Sequence, residues 1–338
     1  MIMNAITING RHVGDGYPAY IIAEIGINHN GNVSLAKDMI AAAWSSGADA
    51  VKIQTFITDQ FLHPSHPGYN YDIDAEITHD NEQEIWDFAK KHGINLFSTP
   101  EEFASLNFIA QQNPSLIKIA AMDFNYKDLI QAVAKLQKPI ILSSGMSTME
   151  EVLQAVRWVE EVGNTQYIVL HCVSCYPAAD HSCNLRVIQT LKRVLDCPVG
   201  FSDHTEGIHI PLAAVALGAN VIEKHFTIDK NLPGPDQRCS MDPSELKTFI
   251  QNIRGIESAM GHGRKIPAPE EKEPRKFKRR GIYASGPLEQ GTVLTENHVL
   301  FYAPSHHNCN VTDWDLMKNR VLNKKVNKMD PIFIDDLY

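Results

Sequence analysis

Several things are scarce in this sequence, and each scarcity narrows what the protein can be. Cysteine is sparse and unevenly placed: six residues in 338, at positions 172, 175, 183, 197, 239 and 309. That is the usage of a reducing cytoplasm, not of a disulfide framework. No apolar run approaches the ~18 residues that a membrane-spanning helix needs. The opening, MIMNAITINGRH, lacks the charged start, apolar stretch and small-residue cleavage site of a secretory signal. Basic residues are outnumbered, 31 Lys and Arg against 40 Asp and Glu, for a net charge of −9. Neither nucleic acid nor an anionic membrane is therefore expected as a partner, since both recruit a basic face. A small anion is not excluded, because it needs only a local cluster of lysines. The sequence also has no GxGxxG and no GxxxxGK[ST] turn, which counts against a doubly wound nucleotide-binding sheet.

Core-forming residues are plentiful. The chain is 43% hydrophobic and 21% charged, and its length suits one large α/β domain with a smaller one, or two medium domains. From Tyr20 to about Met260, short Ile/Val-rich runs alternate with segments of helical periodicity. The runs are YIIAEIGI (20–27), AVKIQTF (50–56), INLFSTP (94–100), LIKIA (116–120), PIILSSG (139–145), YIVLHCV (167–173), PVGFSDH (198–204) and NVIEKHF (220–226). They are continuous rather than alternating, as parallel strands covered on both faces should be. Eight such strands, each followed by a helix, predict a (β/α)8 TIM barrel over 1–261, including an N-terminal extension. A helix is expected over 35–47, closing at Gly47, another from a capping box of Ser147 and Glu150, and a last one from Pro243 to Met260. The long stretch 57–76 reads as a lid or as an ordered surface excursion. Residues 262–281, rich in Pro and charge, read as a solvated linker, and 282–338 as a small β-rich domain.

In such a barrel the C-terminal strand ends face the active site. Here every strand end carries polar or ionisable residues. Lys52 and Lys118, with the hydroxyls of Thr99, Ser143 and Ser202, form a donor set suited to a phosphate plus a carboxylate. His204 and His225 end adjacent strands, beside Asp203 and Glu223, and two converging imidazoles suit a divalent metal with open positions. The CVSC at 172–175 has no second pair and no thioredoxin-like context, so its CxxC spacing reads as coincidence.

At these residues the chain resembles the sialic (nonulosonic) acid synthases. The matching strings run in order through the barrel: IIAEIGINHNG (21–31), AVKIQTF, FSTP, IKIA, PIILSSGMST, HCVSCYP, GFSDHT, VIEKHFT and LPGPDQRCSMDP (232–243). The C-terminal piece is similar to that family's SAF (antifreeze-like) domain, which implies a domain-swapped homodimer. The resemblance implies condensation of phosphoenolpyruvate with an N-acetylated aldose such as N-acetylmannosamine, releasing phosphate. It implies that His204 and His225 hold Mn²⁺ or Mg²⁺, and that Lys52, Lys118, Thr99, Ser143 and Ser202 hold phosphoenolpyruvate. Glu24, Gln54, Tyr176 and Asp236 would face the sugar, and Glu24 or Glu223 would handle the proton of the attacking water.

The match has departures. Ser174 stands where the family usually has Asn. After the fourth strand AAMD (120–123) replaces GSGE, so Ala121 removes a hydroxyl and Asp123 is a shorter carboxylate. Ala303-Pro304-Ser305 replaces an Arg-Pro-Gly turn whose arginine reaches the N-acetyl group. These changes touch the sugar side more than the phosphoenolpyruvate side, so legionaminic, pseudaminic or related acids are also expected products. Two other readings remain at this stage: a metal-dependent barrel aldolase or isomerase, and a catalytically silent glycan-binding barrel.

Overall fold

The structure, a computed structural model, describes residues 5–338. It opens with a hairpin, β1 (Ile6–Ile8) and β2 (Arg11–Val13), paired antiparallel. Asn9 and Gly10 join them at φ of 47° and 78°, the two positive angles of a type I′ turn.

Eight parallel strands follow: β3 (Tyr20–Gly26), β4 (Ala50–Thr55), β5 (Leu96–Pro100), β6 (Ile117–Ile119), β7 (Ile140–Ser143), β8 (Tyr167–Cys172), β9 (Val199–Asp203) and β10 (Val221–His225). Each lies inside its predicted run. The ladder passes β5-β4-β3-β10-β9-β8-β7-β6, and its two ends lie side by side, which closes the predicted TIM barrel. Outward residues such as Ile21, Val51, Leu142 and Phe201 pack beneath the surrounding helices. Inward residues at the N-terminal end, among them Ile22, Phe97, Ile141, Ile168 and Val221, join Ile6, Ile8 and Val13 of the hairpin. The N-terminal extension is thus a plug across the floor of the barrel.

Local signals account for most helix ends. The helix Val33–Ser45 takes its N-cap from Asn32, and Gly47 follows it at φ 99°. One expectation is corrected: the capping box before Met149–Glu161 is Thr148 with Glu151, not Ser147 with Glu150. Both pairs have the required spacing. Starting one residue later turns Val152, Ala155, Val156 and Val159 onto the barrel. The stretch 57–76 folds into two short helices, Thr58–Phe61 and Tyr69–Ala75. They are anchored by a small core of Ile27, Phe56 and Ala75 and by a 2.8 Å bond from Tyr71 Oη to Asn30 Oδ1. That is the ordered excursion of the two alternatives.

The chain divides into two compact units, Met1–Gly261 and His262–Tyr338. The segment 262–281, read from sequence as a linker, contains an exposed helix, Lys272–Lys278. The rest of the second unit pairs β11 (Gly281–Ala284) with β12 (Val299–Tyr302) over a core that includes Ile282, Leu294, Met317, Leu322 and Ile332.

Candidate active site

Side chains on a strand alternate between faces, so residues two apart share one. In this barrel the inward series climbs from apolar to polar: Ala50, Lys52, Gln54 on β4; Phe97, Thr99 on β5; Ile141, Ser143 on β7; Val221, Glu223, His225 on β10. At the C-terminal mouth these residues line a cavity of about 300 Å³. Glu24, Lys52, Gln54, Thr99, Lys118, Ser143, Tyr176, Ser202, His204, Glu223, His225 and Asp236 all face it. Asp123 and Ser174 do not. Asp123 is buried beside Glu101, and Ser174 Oγ sits where a Cβ on Gly145 would be, 2.2 Å away.

Asp203 is a correction. It was read as a carboxylate beside the histidine pair, but parity turns it outward with Lys224. The two form a buried ion pair at 2.5 Å behind the barrel wall, and Lys224 also donates to the Thr205 carbonyl. The other three carboxylates read at strand ends keep their separate places, Glu24 and Glu223 inside and Asp123 beside the cavity.

Two ion pairs cross the cavity wall. Lys52 pairs with Glu24, and Lys118 with Glu223; all four side chains are almost fully buried. Lys52 also donates to Thr99 Oγ1 at 3.2 Å, and Ser202 Oγ donates to Glu223 Oε1 at 3.1 Å. Burial alone would raise the Glu223 pKa, but the ammonium groups of Lys118 and Lys52 outweigh it and hold the carboxylate ionised. Burial pushes the Lys52 pKa down, against the pull of Glu223. The wall also carries buried polar atoms with no hydrogen-bond partner in the chain: Glu24 Oε1, Ser143 Oγ, Glu223 Oε2 and His225 Nδ1, the last of these 3.7 Å from Asp236 Oδ2. Unpaired buried polar atoms are costly, and their convergence on one cavity marks a place where a polar ligand completes the bonding.

The rings of His204 and His225 are 5.3 Å apart, centre to centre, with Tyr176 packed 4.1 Å from His204. His204 Nδ1 donates to the Val173 carbonyl at 2.8 Å, which leaves its Nε2 as the free acceptor. Burial depresses both imidazoles: His204 to about 4, and His225 well below its ordinary value, with His204 and nearby lysines adding to the effect. Both are neutral at physiological pH, the form that ligates metal. Among the described residues, no group of three or more His, Cys, Asp or Glu side chains is arranged to hold an ion.

Sequence reading placed Cys172 at a strand end without giving it a role, and missed Glu101, Ala120, Ile27 and Pro235. Cys172 is buried in the wall, while Cys175 is exposed, and all six cysteines are free. Parity was the available signal for two of these. Cys172 follows Leu170 on the inward face, and Glu101 lies two residues past Thr99. Pro235 sits in a loop and carries no such signal.

Fold and cavity together define the class: a (β/α)8 barrel with a polar cavity, lined by buried charged side chains, at its C-terminal mouth. The sequence pattern of the NeuB family matches residues 39–265. An N,N'-diacetyllegionaminic acid synthase of Legionella pneumophila is 37% identical over 88% of this chain and 89% of its own. An uncharacterized protein of Methanocaldococcus jannaschii is 39% identical over 99% of both chains. The crystal structure of N-acetylneuraminic acid (sialic acid) synthetase from Leptospira borgpetersenii, in complex with citrate, superposes with a TM-score of 0.76 at 35% identity, covering 80% of this chain and 95% of that one. The chain belongs to the NeuB family. No helix among the described residues is long and apolar enough to cross a membrane.

Proposed function

We propose that the protein condenses phosphoenolpyruvate with the open-chain form of an N-acylated amino-sugar, releasing phosphate and forming a nonulosonic acid. It would be a cytoplasmic, C–C bond-forming transferase. The single observation that carries this reading is the junction of two buried lysines with two neutral imidazoles in one cavity. Legionaminic-type acids are the favoured products, since two relatives at 37% and 36% identity are N,N'-diacetyllegionaminic acid synthases.

Lys52 and Lys118, with Thr99, Ser143 and Ser202, bind the phosphate and carboxylate of phosphoenolpyruvate. Binding the trianion draws the two ammonium groups from their partners Glu24 and Glu223 and supplies a partner to the orphan Ser143 hydroxyl. His204 and His225 fit a divalent ion such as Mn²⁺ or Mg²⁺, because both are neutral and Nδ1 of His225 has no hydrogen-bond partner in the chain. When bound, such an ion supplies Lewis acidity toward the sugar's aldehyde oxygen. Gln54, Tyr176 and Asp236 orient the sugar so that C3 of phosphoenolpyruvate meets the aldehyde carbon. Water then adds at C2, its proton passing to Glu24 or Glu223, and phosphate leaves with C–O cleavage. The C-terminal unit serves as an SAF (antifreeze-like) domain in a domain-swapped homodimer.

The test is phosphate release with Mn²⁺ against a panel of amino-sugars, with products read by mass. Release should require both phosphoenolpyruvate and sugar, stop with chelator and return with Mn²⁺. Turnover of sugar without phosphoenolpyruvate, or no release across the panel, would overturn the reading.

A further inference from the structure

Behind Gln54 lies a pair of carboxyls that the chemistry above does not use. Glu101 follows β5 and is 3% exposed; Asp123 follows β6 and is 8% exposed. Each has a buried oxygen, Glu101 Oε2 and Asp123 Oδ2, for which the chain offers no donor. The two side chains are nevertheless within hydrogen-bonding reach of each other. Two carboxylates cannot bond in this way, whereas a carboxylic acid and a carboxylate can. One proton therefore satisfies both orphan oxygens. With that proton on the Oε2 side, Glu101 Oε1 is left as an acceptor, and it takes a 3.0 Å bond from Gln54 Nε2.

We propose that Glu101 and Asp123 share one proton, and that Glu101 is a positioning residue that fixes the Gln54 amide with its oxygen beside Glu24 Oε1 in the cavity wall. The effect on the wall is specific. Gln54 Oε1 and Glu24 Oε1 both lie 3.1 Å from where a Cβ on Gly26 would stand, so they form one acceptor edge. An acceptor edge selects a sugar that presents donors there, a hydroxyl or an amide N–H, and disfavours a carbonyl or carboxylate. The inference rests on the reading that this cavity takes a sugar.

The surrounding charges agree with a retained proton. Burial is the main cause that raises both carboxyls. Glu102 adds to it, its own carboxylate accepting from Ser105 N at 2.8 Å. Lys52 pulls the other way on Glu101. Loss of the shared proton in alkaline solution sets two carboxylates against each other, and their repulsion displaces Glu101 from the Gln54 amide.

Steady-state kinetics over neutral to alkaline pH, beside infrared spectroscopy, test this on the full chain. For the wild type, KM for the sugar should climb in alkali while KM for phosphoenolpyruvate changes little. Glu101→Gln donates to Asp123 and accepts from Gln54 without a titrating proton, so it should keep the neutral KM and lose the alkaline climb. Glu101→Leu should raise the sugar KM about tenfold at every pH, the value of one misplaced buried hydrogen bond. The infrared difference between wild type and Glu101→Gln should show a protonated-carboxyl stretch at neutral pH, whether or not the enzyme turns over. Absence of that band, or an alkaline climb that persists in Glu101→Gln, overturns the inference. Absence of phosphate release with the band present overturns the condensation instead.

Discussion

The floor and the mouth of the barrel are built from the same eight strands, yet they share almost no chemistry. At the floor, inward positions hold Ile22, Ala50, Phe97, Leu116, Ile141, Ile168 and Val221, sealed by the N-terminal hairpin. Two residues further along, inward positions hold Glu24, Lys52, Thr99, Lys118, Ser143 and Glu223. One step of the pleat separates a region that stabilises the fold from one that burdens it with buried charge. The floor tolerates no added bulk: a Cβ on Gly200 would lie 2.4 Å from the Val221 carbonyl oxygen. The mouth instead keeps four polar atoms without a hydrogen-bond partner in the chain. The cavity lies at the mouth and the apolar packing at the floor, so changes in the two regions should separate cleanly.

His225→Ala should give the largest effect. On the proposed metal-site reading, loss of this ligand would remove several kcal/mol of transition-state stabilisation, so kcat/KM should fall about a thousandfold or more, with metal content lost. Its Tm should hold, because deleting a desolvated imidazole removes a cost along with its packing. Unfolding at ambient temperature would show that the mouth carries stability too. Phe97→Ala is the converse, made on the same inward column. It should lower the unfolding free energy by about 3–5 kcal/mol in urea titrations, while folded enzyme keeps its KM values. A changed KM for phosphoenolpyruvate would mean that floor and mouth are coupled.

That separation was partly legible before any coordinates. The eight continuous apolar runs marked the strands, because parallel strands covered on both faces leave a strong local signal. Lys52, Lys118, His204 and His225 were legible as a group because the fold brings all strand ends to one rim. Asp203 was misplaced because position at a strand end was weighed and parity was not. Ser202 and His204 face in, so the residue between them must face out. The Glu101–Asp123 contact joins two loops after neighbouring strands, and no local pattern records which loop side chains meet. The capping box slipped by one residue because STMEE contains two overlapping pairs, and only burial of Val152 and Val156 decides between them.

The outward face at mouth height sharpens the comparison further. Lys224 and Asp203 are buried as a pair, where the same residue types one step inward would meet substrate. Lys224→Met strands the Asp203 carboxylate and should destabilise by about 3 kcal/mol; adding Asp203→Leu should recover most of the loss. Chemical denaturation of the single and double variants checks this. A double variant no better than the single would mean that the pair is more than mutual compensation.

The smallest effect concerns another outward group at that height. Glu82, 2% exposed, accepts at Oε1 from Thr55 Oγ1 at 2.7 Å and Trp86 Nε1 at 2.9 Å. Burial raises its pKa from an ordinary 4.5 to about 7, with Glu102 adding and the two hydrogen bonds opposing. The folded state therefore holds this proton more tightly than the unfolded chain does. The associated stability is fully present below the unfolded value and is lost as pH climbs through the folded one. Glu82→Gln keeps the Oε1 acceptor and has no proton to lose. Between mildly acidic and neutral pH the wild type should lose on the order of 2 kcal/mol relative to this variant. Urea titrations at a series of pH values give the two slopes. Parallel slopes would mean that Glu82 is ionised in the fold. The outer wall would then hold charge as readily as the inner one, and the contrast between the two faces would rest on Phe97 and the floor alone.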